Sequence, residues 1–118
     1  MTKKIMIVDD DPVIRTLISD IAESAGHTVE AFEKGEDCLH SMDNALPDVL
    51  ILDLQMPGMN GIDVLKQLRQ NTRTAGVPVI MLSANSDSPM VLDQSVHADL
   101  YLQKPFKVAE FLSVLDKK

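Results

Sequence analysis

Apolar runs alternate along this chain with segments in which apolar residues recur every three or four positions. The runs Lys4 to Val8, Val49 to Leu52 and Val77 to Leu82 are almost entirely apolar, which is typical of strands buried on both faces of a parallel sheet. Thr28 to Phe32 alternates and Leu100 to Leu102 is short, as in edge strands. The pattern therefore predicts three central strands and two edge strands.

Five helices are predicted between and after these strands. The first begins at Asp11 and Pro12, a capping residue followed by a proline at the first helical position, and ends at Gly26. The other four are Gly35 to about Asn44, a segment marked by Ile62, Leu65 and Leu68, a weakly patterned stretch from Asp87 to Val96, and an apolar stripe from Val108 to Leu115.

Alternating strands and helices predict an α/β fold, a doubly wound five-stranded parallel sheet with right-handed crossovers. Placing the apolar strands at the centre gives the flavodoxin-like order 2-1-3-4-5. In this order the winding reverses between the first and third strands, where ligands bind beside the carboxyl ends of strands. With 118 residues, residues 1–118 are expected to form a single domain.

Chemically capable side chains follow the predicted strands at their carboxyl ends. They are Asp9, Asp10 and Asp11 after the first strand, Asp53 after the third, Ser83 after the fourth and Lys104 after the fifth. We expect them to converge on one crevice, where carboxylates repel one another unless they share a proton or bind a hard cation. Carboxylates with a backbone carbonyl and waters suit Mg²⁺, and no His or Cys joins the group to favour zinc.

A crevice with Mg²⁺, a carboxylate, a lysine and a hydroxyl is suited to accepting a phosphoryl group. Asp53 would attack phosphorus in line, Lys104 would contact a phosphoryl oxygen, and Ser83 would donate a hydrogen bond. Taken alone, Asp53 is equally consistent with a turn, and Asp11 is expected only to cap a helix.

Four segments resemble the signatures of response regulator receiver domains, and the resemblance covers essentially the whole chain. The segments are Ile7-Val-Asp-Asp-Asp-Pro12, Leu52-Asp-Leu-Gln-Met-Pro-Gly-Met-Asn-Gly61, Met81-Leu-Ser-Ala84 and Tyr101-Leu-Gln-Lys-Pro-Phe106. The resemblance implies that Asp53 is the phosphoacceptor and that Asp9 and Asp10 are the acidic pair. It also implies metal ligation by Asp10, Asp53 and the Gln55 carbonyl.

The resemblance also implies the remaining roles and the partners. Ser83 would be the switch hydroxyl, Tyr101 the switch aromatic and Lys104 the phosphate partner, with a cis bond before Pro105. A sensor histidine kinase or histidine phosphotransfer protein would supply the phosphate. A face formed by residues 87–118 would bind a downstream effector or a second copy. The chain would promote only its own phosphorylation and dephosphorylation and would not be an enzyme for other substrates.

Two other functional classes share parts of this pattern. A Mg²⁺-dependent phosphohydrolase of the haloacid dehalogenase type also forms an aspartyl phosphate, but Asp9-Asp-Asp-Pro12 lacks that family's downstream hydroxyl. A flavodoxin-like flavin carrier would need a phosphate-binding loop after the first strand, where the aspartates would repel phosphate.

His97 stands where receivers often have glycine, in a turn that would favour a positive φ.

Charge and cysteine content set the expected surroundings. The formal charge is −7, and the eleven basic residues form no run, which argues against direct binding to nucleic acid or to an anionic membrane. No segment is long enough for a membrane span. The single cysteine, Cys38, excludes an intrachain disulfide and favours a cytoplasmic setting. It is expected to be a buried apolar residue of a helix.

Overall fold

The computed structural model describes residues 2–54, 56, 58–83, 98–104 and 106–117. The strands in this part are β1 (Lys4–Val8), β2 (Thr28–Phe32), β3 (Val49–Asp53), β4 (Val79–Ser83) and β5 (Leu100–Gln103). Its helices are α1 (Pro12–Ser24), α2 (Gly35–Ser41), α3 (Gly61–Gln70) and α4 (Val108–Asp116). The predicted helix from Asp87 to Val96, the turn at His97 and the bond before Pro105 lie outside the described residues.

The five strands form one parallel sheet in the order β2-β1-β3-β4-β5, so the predicted topology is confirmed. Burial explains the order. Every residue of β3 is buried, and β1 and β4 are buried except at one end, whereas β2 and β5 are largely exposed or half-buried. The most apolar strands therefore occupy the positions that have a neighbour on each side.

Helices cover the sheet on both faces. Alternate strand residues such as Leu50 and Leu52 pack with α2 and α3, while Val49 and Ile51 pack with α1 and α4. Side chains on a strand point to opposite faces in turn, so an unbroken apolar strand serves both cores. This double burial fixes the direction of each residue at the carboxyl ends.

The predicted helix ends are confirmed where a capping residue marks them. Asp11 accepts a hydrogen bond from the Val13 N–H at 2.9 Å at the start of α1, and Gly26 follows the helix with φ of +95°. The prediction for Cys38 is also confirmed, since it is completely buried in α2. Burial, with a smaller contribution from the Glu30 carboxylate, raises the pKa of its thiol to about 12.

Two predicted boundaries were wrong. The second helix ends at Ser41 rather than near Asn44, because hydrogen-bonded turns from residue 42 to 44 replace it. The fourth strand begins at Val79 rather than Val77. Val77 lies before the strand, and its carbonyl accepts a hydrogen bond from the Arg69 guanidinium at 2.7 Å.

Candidate phosphoacceptor and metal site

Asp9 directly follows β1 and is completely buried. Its N–H donates to the Phe32 carbonyl at 3.1 Å, and its Oδ1 accepts from the Asp11 N–H at 2.9 Å. Its Oδ2 accepts from Lys104 Nζ at 3.0 Å. A buried carboxylate is tolerated only when it is paired and hydrogen-bonded, and these contacts meet that requirement.

Asp53 is the last residue of β3 and is 5 % exposed. Its Oδ1 lies 3.3 Å from Lys104 Nζ, so one ammonium group bridges Asp53 and Asp9. Asp10, which is more exposed than either, completes the group. Ligand oxygens of these three aspartates all lie within 4.8 Å of one another.

Lys104 reaches this cluster from the end of β5. Its backbone N–H donates to the Ser83 carbonyl at 2.7 Å, which continues the pairing of β4 with β5 by one more residue. Burial alone would lower the pKa of Lys104. The hydrogen bond to Asp9 and the charges of Asp53 and Asp9 outweigh burial, so the pKa of Lys104 is raised above its ordinary value.

The start of α3 presses against the backbone of Asp53. The Gly61 N–H donates to the Leu54 carbonyl at 2.9 Å. A Cβ at Gly61 would collide with the Asp53 carbonyl oxygen and would lie 2.8 Å from Leu54 Cα. Asn60 and Asp63 form a reciprocal capping box at this point. The glycine is therefore required for the close approach of the helix to the end of β3.

The cluster is chemically suited to a hard divalent cation. The cluster has three carboxylates, and the Lys104 ammonium pairs with two of them, Asp9 and Asp53, so an excess of negative charge remains for a cation to offset. All three ligands are oxygens, which Mg²⁺ prefers. Gln55, whose carbonyl was predicted as a further ligand, lies outside the described residues.

The two predicted switch residues lie on neighbouring strands. Ser83 ends β4 and is half-buried, while Tyr101 on β5 is 38 % exposed. Tyr101 pairs with Met81, and Ser83 pairs with Gln103. Because residues two apart on a strand face the same side, Ser83 and Tyr101 share the sheet face that packs with α2 and α3.

Two contacts of the site were missed from the sequence. One is the bond of Lys104 to Asp9, because Lys104 was expected to contact only a phosphoryl group. The other involves Arg15 near the start of α1, whose Nη1 donates to the Asp9 carbonyl at 2.7 Å. A cation at a helix N-terminus opposes the helix dipole, and this was the sequence signal that could have drawn attention to Arg15.

Comparison with known proteins shows which family this chain resembles. The response regulator receiver domain family matches residues 5–116. The DNA-binding response regulator MtrA of Mycolicibacterium smegmatis is 37% identical over 114 residues, which are 96% of this chain and 49% of MtrA. The transcriptional regulatory protein CpxR of Escherichia coli K12 is 42% identical over 111 residues, 93% of this chain and 46% of CpxR.

A solved structure shows the same fold. The chemotaxis response regulator CheY4 of Vibrio cholerae superposes with a TM-score of 0.90 at 30% identity, covering 99% of this chain and 98% of CheY4. The chain spans about half the length of the curated relatives it matches. None of the described helices is long and apolar enough to cross a membrane. The chain belongs to the response regulator receiver domain family of two-component signalling.

Proposed function

We propose that residues 1–118 act as one receiver domain in which Asp53 accepts a phosphoryl group from a sensor histidine kinase or a histidine phosphotransfer protein. The observation that carries this proposal is the Lys104 ammonium held between Asp53 and Asp9 beside Asp10. A phosphohydrolase of the haloacid dehalogenase type is not favoured, because the family match covers residues 5–116.

The transfer needs few protein groups. A carboxylate oxygen of Asp53 forms the new bond to phosphorus, and the bond from phosphorus to the donor nitrogen breaks with its electron pair remaining on the imidazole. The Lys104 ammonium, already 3.3 Å from the Asp53 carboxylate, would then contact a phosphoryl oxygen. Ser83 would donate its hydroxyl to another oxygen.

Asp9, Asp10, Asp53 and the Gln55 carbonyl are the residues that would hold Mg²⁺. When bound, the cation would offset the carboxylate charges and the negative charge of the phosphoryl oxygens. Asp9 and Asp53 are buried, and their side chains therefore need little reordering before a cation binds. The donor set supports Mg²⁺ over zinc, because the described cluster contains neither His nor Cys.

Phosphorylation at Asp53 can be tested with acetyl phosphate and Mg²⁺ followed by intact-protein mass spectrometry. We expect one phosphate adduct on the wild type and none on Asp53→Ala. Asp11→Asn is a matched control, since Asp11 is an exposed neighbouring carboxylate that caps α1, and it should be labelled normally. An undiminished adduct on Asp53→Ala would contradict the assignment.

Magnesium binding can be tested by calorimetric titration. Asp10→Asn removes one carboxylate of the cluster and should weaken Mg²⁺ binding by at least about tenfold, because losing a ligand costs no less than losing one of its outer-shell partners, whereas Asp11→Asn should have little effect. Binding should also weaken in acid, because the ligands must be deprotonated. Equal affinities of the wild type and Asp10→Asn would exclude this ligand set.

We further propose that the output is a change in partner binding. MtrA is named as DNA-binding and CpxR as a transcriptional regulatory protein, and each is about twice as long as the region matched. The net charge of −7 on these residues supports contact with a protein, either an effector or a second copy, rather than direct contact with nucleic acid. The phosphoryl group should remain covalently bound to Asp53. The chain should not catalyse the release of phosphate from small phosphoesters.

A further inference from the structure

Arg15 connects α1 to the end of β1. Its guanidinium Nη1 donates to the Asp9 carbonyl oxygen at 2.7 Å, and its backbone N–H donates to the Asp11 carbonyl at 3.0 Å. The side chain is half-buried. The contact therefore fixes the peptide group that joins Asp9 to Asp10.

This position is locally unfavourable for a cation. The N-terminus of a helix carries partial positive charge, so an arginine near the start of α1 opposes the helix dipole. The described ion pairs do not include Arg15, although it bonds to the backbone of Asp9, a member of the acidic cluster. A residue that opposes its local preference without an ion pair indicates a role outside the helix.

We propose that Arg15 is a positioning residue that holds the Asp9–Asp10 peptide so that the Asp10 carboxylate faces the magnesium site; this rests on the site proposed above. Asp9 is completely buried, so water cannot readily replace the guanidinium at its carbonyl. Without that donor the peptide rotates towards another partner. Asp10, as the next residue, moves with it and leaves the other two carboxylates.

A positioning role and simple charge repulsion predict opposite changes in Mg²⁺ affinity when Arg15 is replaced. Arg15 is a positive charge close to the acidic cluster, so removing it would strengthen cation binding if repulsion were its main effect. If Arg15 orients Asp10, removing it weakens binding. The sign of the change in Mg²⁺ affinity therefore separates the two effects.

The experiment is a calorimetric Mg²⁺ titration of the full chain. Arg15→Met keeps most of the side-chain length but has neither donor nor charge, and we expect its Kd for Mg²⁺ to rise about tenfold. Arg15→Lys keeps the charge and a donor and should remain close to the wild type. Arg15→Gln is neutral and too short to reach the carbonyl, and should weaken binding as Arg15→Met does, which covers the case in which Arg15→Met does not fold.

Arg69→Met provides the matched control. Arg69 also donates from a helix to backbone carbonyls, those of Ala75 at 2.9 Å and Val77 at 2.7 Å, but at the opposite end of the sheet. The Arg69→Met substitution should lower the midpoint of thermal unfolding and leave the Kd for Mg²⁺ unchanged. Unchanged or tighter Mg²⁺ binding by the neutral Arg15 variants would overturn the role of Arg15 alone. A wild type that binds no Mg²⁺ would overturn the magnesium site as well.

Discussion

Lys104 is the residue on which the unphosphorylated site depends. Its ammonium bridges two buried carboxylates, Asp9 and Asp53, and its side chain is 23 % exposed. Removing the ammonium would leave Asp9, Asp10 and Asp53 to repel one another. The residue proposed to contact the phosphoryl group therefore also pairs with the carboxylates of the free protein.

Lys104→Met should lower the free energy of unfolding at neutral pH by about 1–3 kcal/mol, because buried carboxylates lose a charged partner. Lys104 is protonated in both states below its ordinary pKa of 10.5, so its contribution is complete there. In the native protein the pKa is raised, so the contribution falls as pH rises through that native value. The difference from the wild type should therefore shrink above pH 10.5.

Urea unfolding followed by circular dichroism over this alkaline range measures that difference. Lys66→Met is the control, because Lys66 is exposed on α3 and belongs to none of the described ion pairs, so its free energy of unfolding should stay close to that of the wild type. If the difference in free energy of unfolding between Lys104→Met and the wild type did not depend on pH, the ion pairs would not be the source of the stabilisation by Lys104.

At the scale of elements, the junction of β3 with α3 places Asp53. Helix α3 starts at Gly61, against the backbone of Asp53 and Leu54, and Gly58 enters the junction with φ of +75°. The Leu54 N–H donates to the Leu82 carbonyl at 2.9 Å, which extends the pairing of β3 with β4. Asp53, the proposed phosphoacceptor, is therefore held by a strand end and a helix start together.

Gly61→Ala should destabilise the protein by about 1–3 kcal/mol, because the added methyl group must push a helix from a buried strand end. It should also slow labelling of Asp53 by acetyl phosphate, since the strand end shifts with the helix. Gly76→Ala is a suitable control, because a Cβ there meets no atom within 4 Å. Normal stability and labelling of Gly61→Ala would show that the junction adapts freely.

At the scale of the whole molecule, the proposed function requires that phosphorylation of Asp53 change a surface distant from it. The phosphoryl group adds up to about two negative charges, and Ser83, at the end of β4, is the hydroxyl expected to move towards it. Tyr101 shares the sheet face of Ser83 and would turn into the vacated space. This rearrangement would shift the equilibrium between two conformations of the face formed by residues 87–118, of which 98–104 and 106–117 are described. A partner shifts the equilibrium only if it prefers one state.

Tyr101 can report on this coupling because the chain has one tyrosine and no tryptophan. Beryllofluoride, which mimics the phosphoryl group, should make the tyrosine emission of the wild type less accessible to iodide. Ser83→Ala should still take up phosphate but lose most of this change, and Asp53→Ala should show no change. Equal responses of the wild type and Ser83→Ala would exclude the proposed coupling.

Local pattern determined the architecture. Apolar runs without alternation must be buried on both faces, so β1, β3 and β4 could be placed at the centre, and the order β2-β1-β3-β4-β5 followed. Capping residues such as Asp11 are read locally because they bond to the backbone two or three residues away. Strand ends carry the aspartates and Lys104 to one edge, so the members of the cluster were predictable as well.

Tertiary structure alone decided how these members contact one another. Lys104 and Asp9 are 95 residues apart, and no periodicity relates them. The Arg15 bond to a carbonyl and the approach of Gly61 to Asp53 depend on how each helix packs on the sheet. The early end of α2 and the late start of β4 likewise reflect hydrogen bonds across turns and from Arg69. Hydrophobic spacing specifies which face is buried, whereas the partner of each polar atom is set only when distant segments pack together.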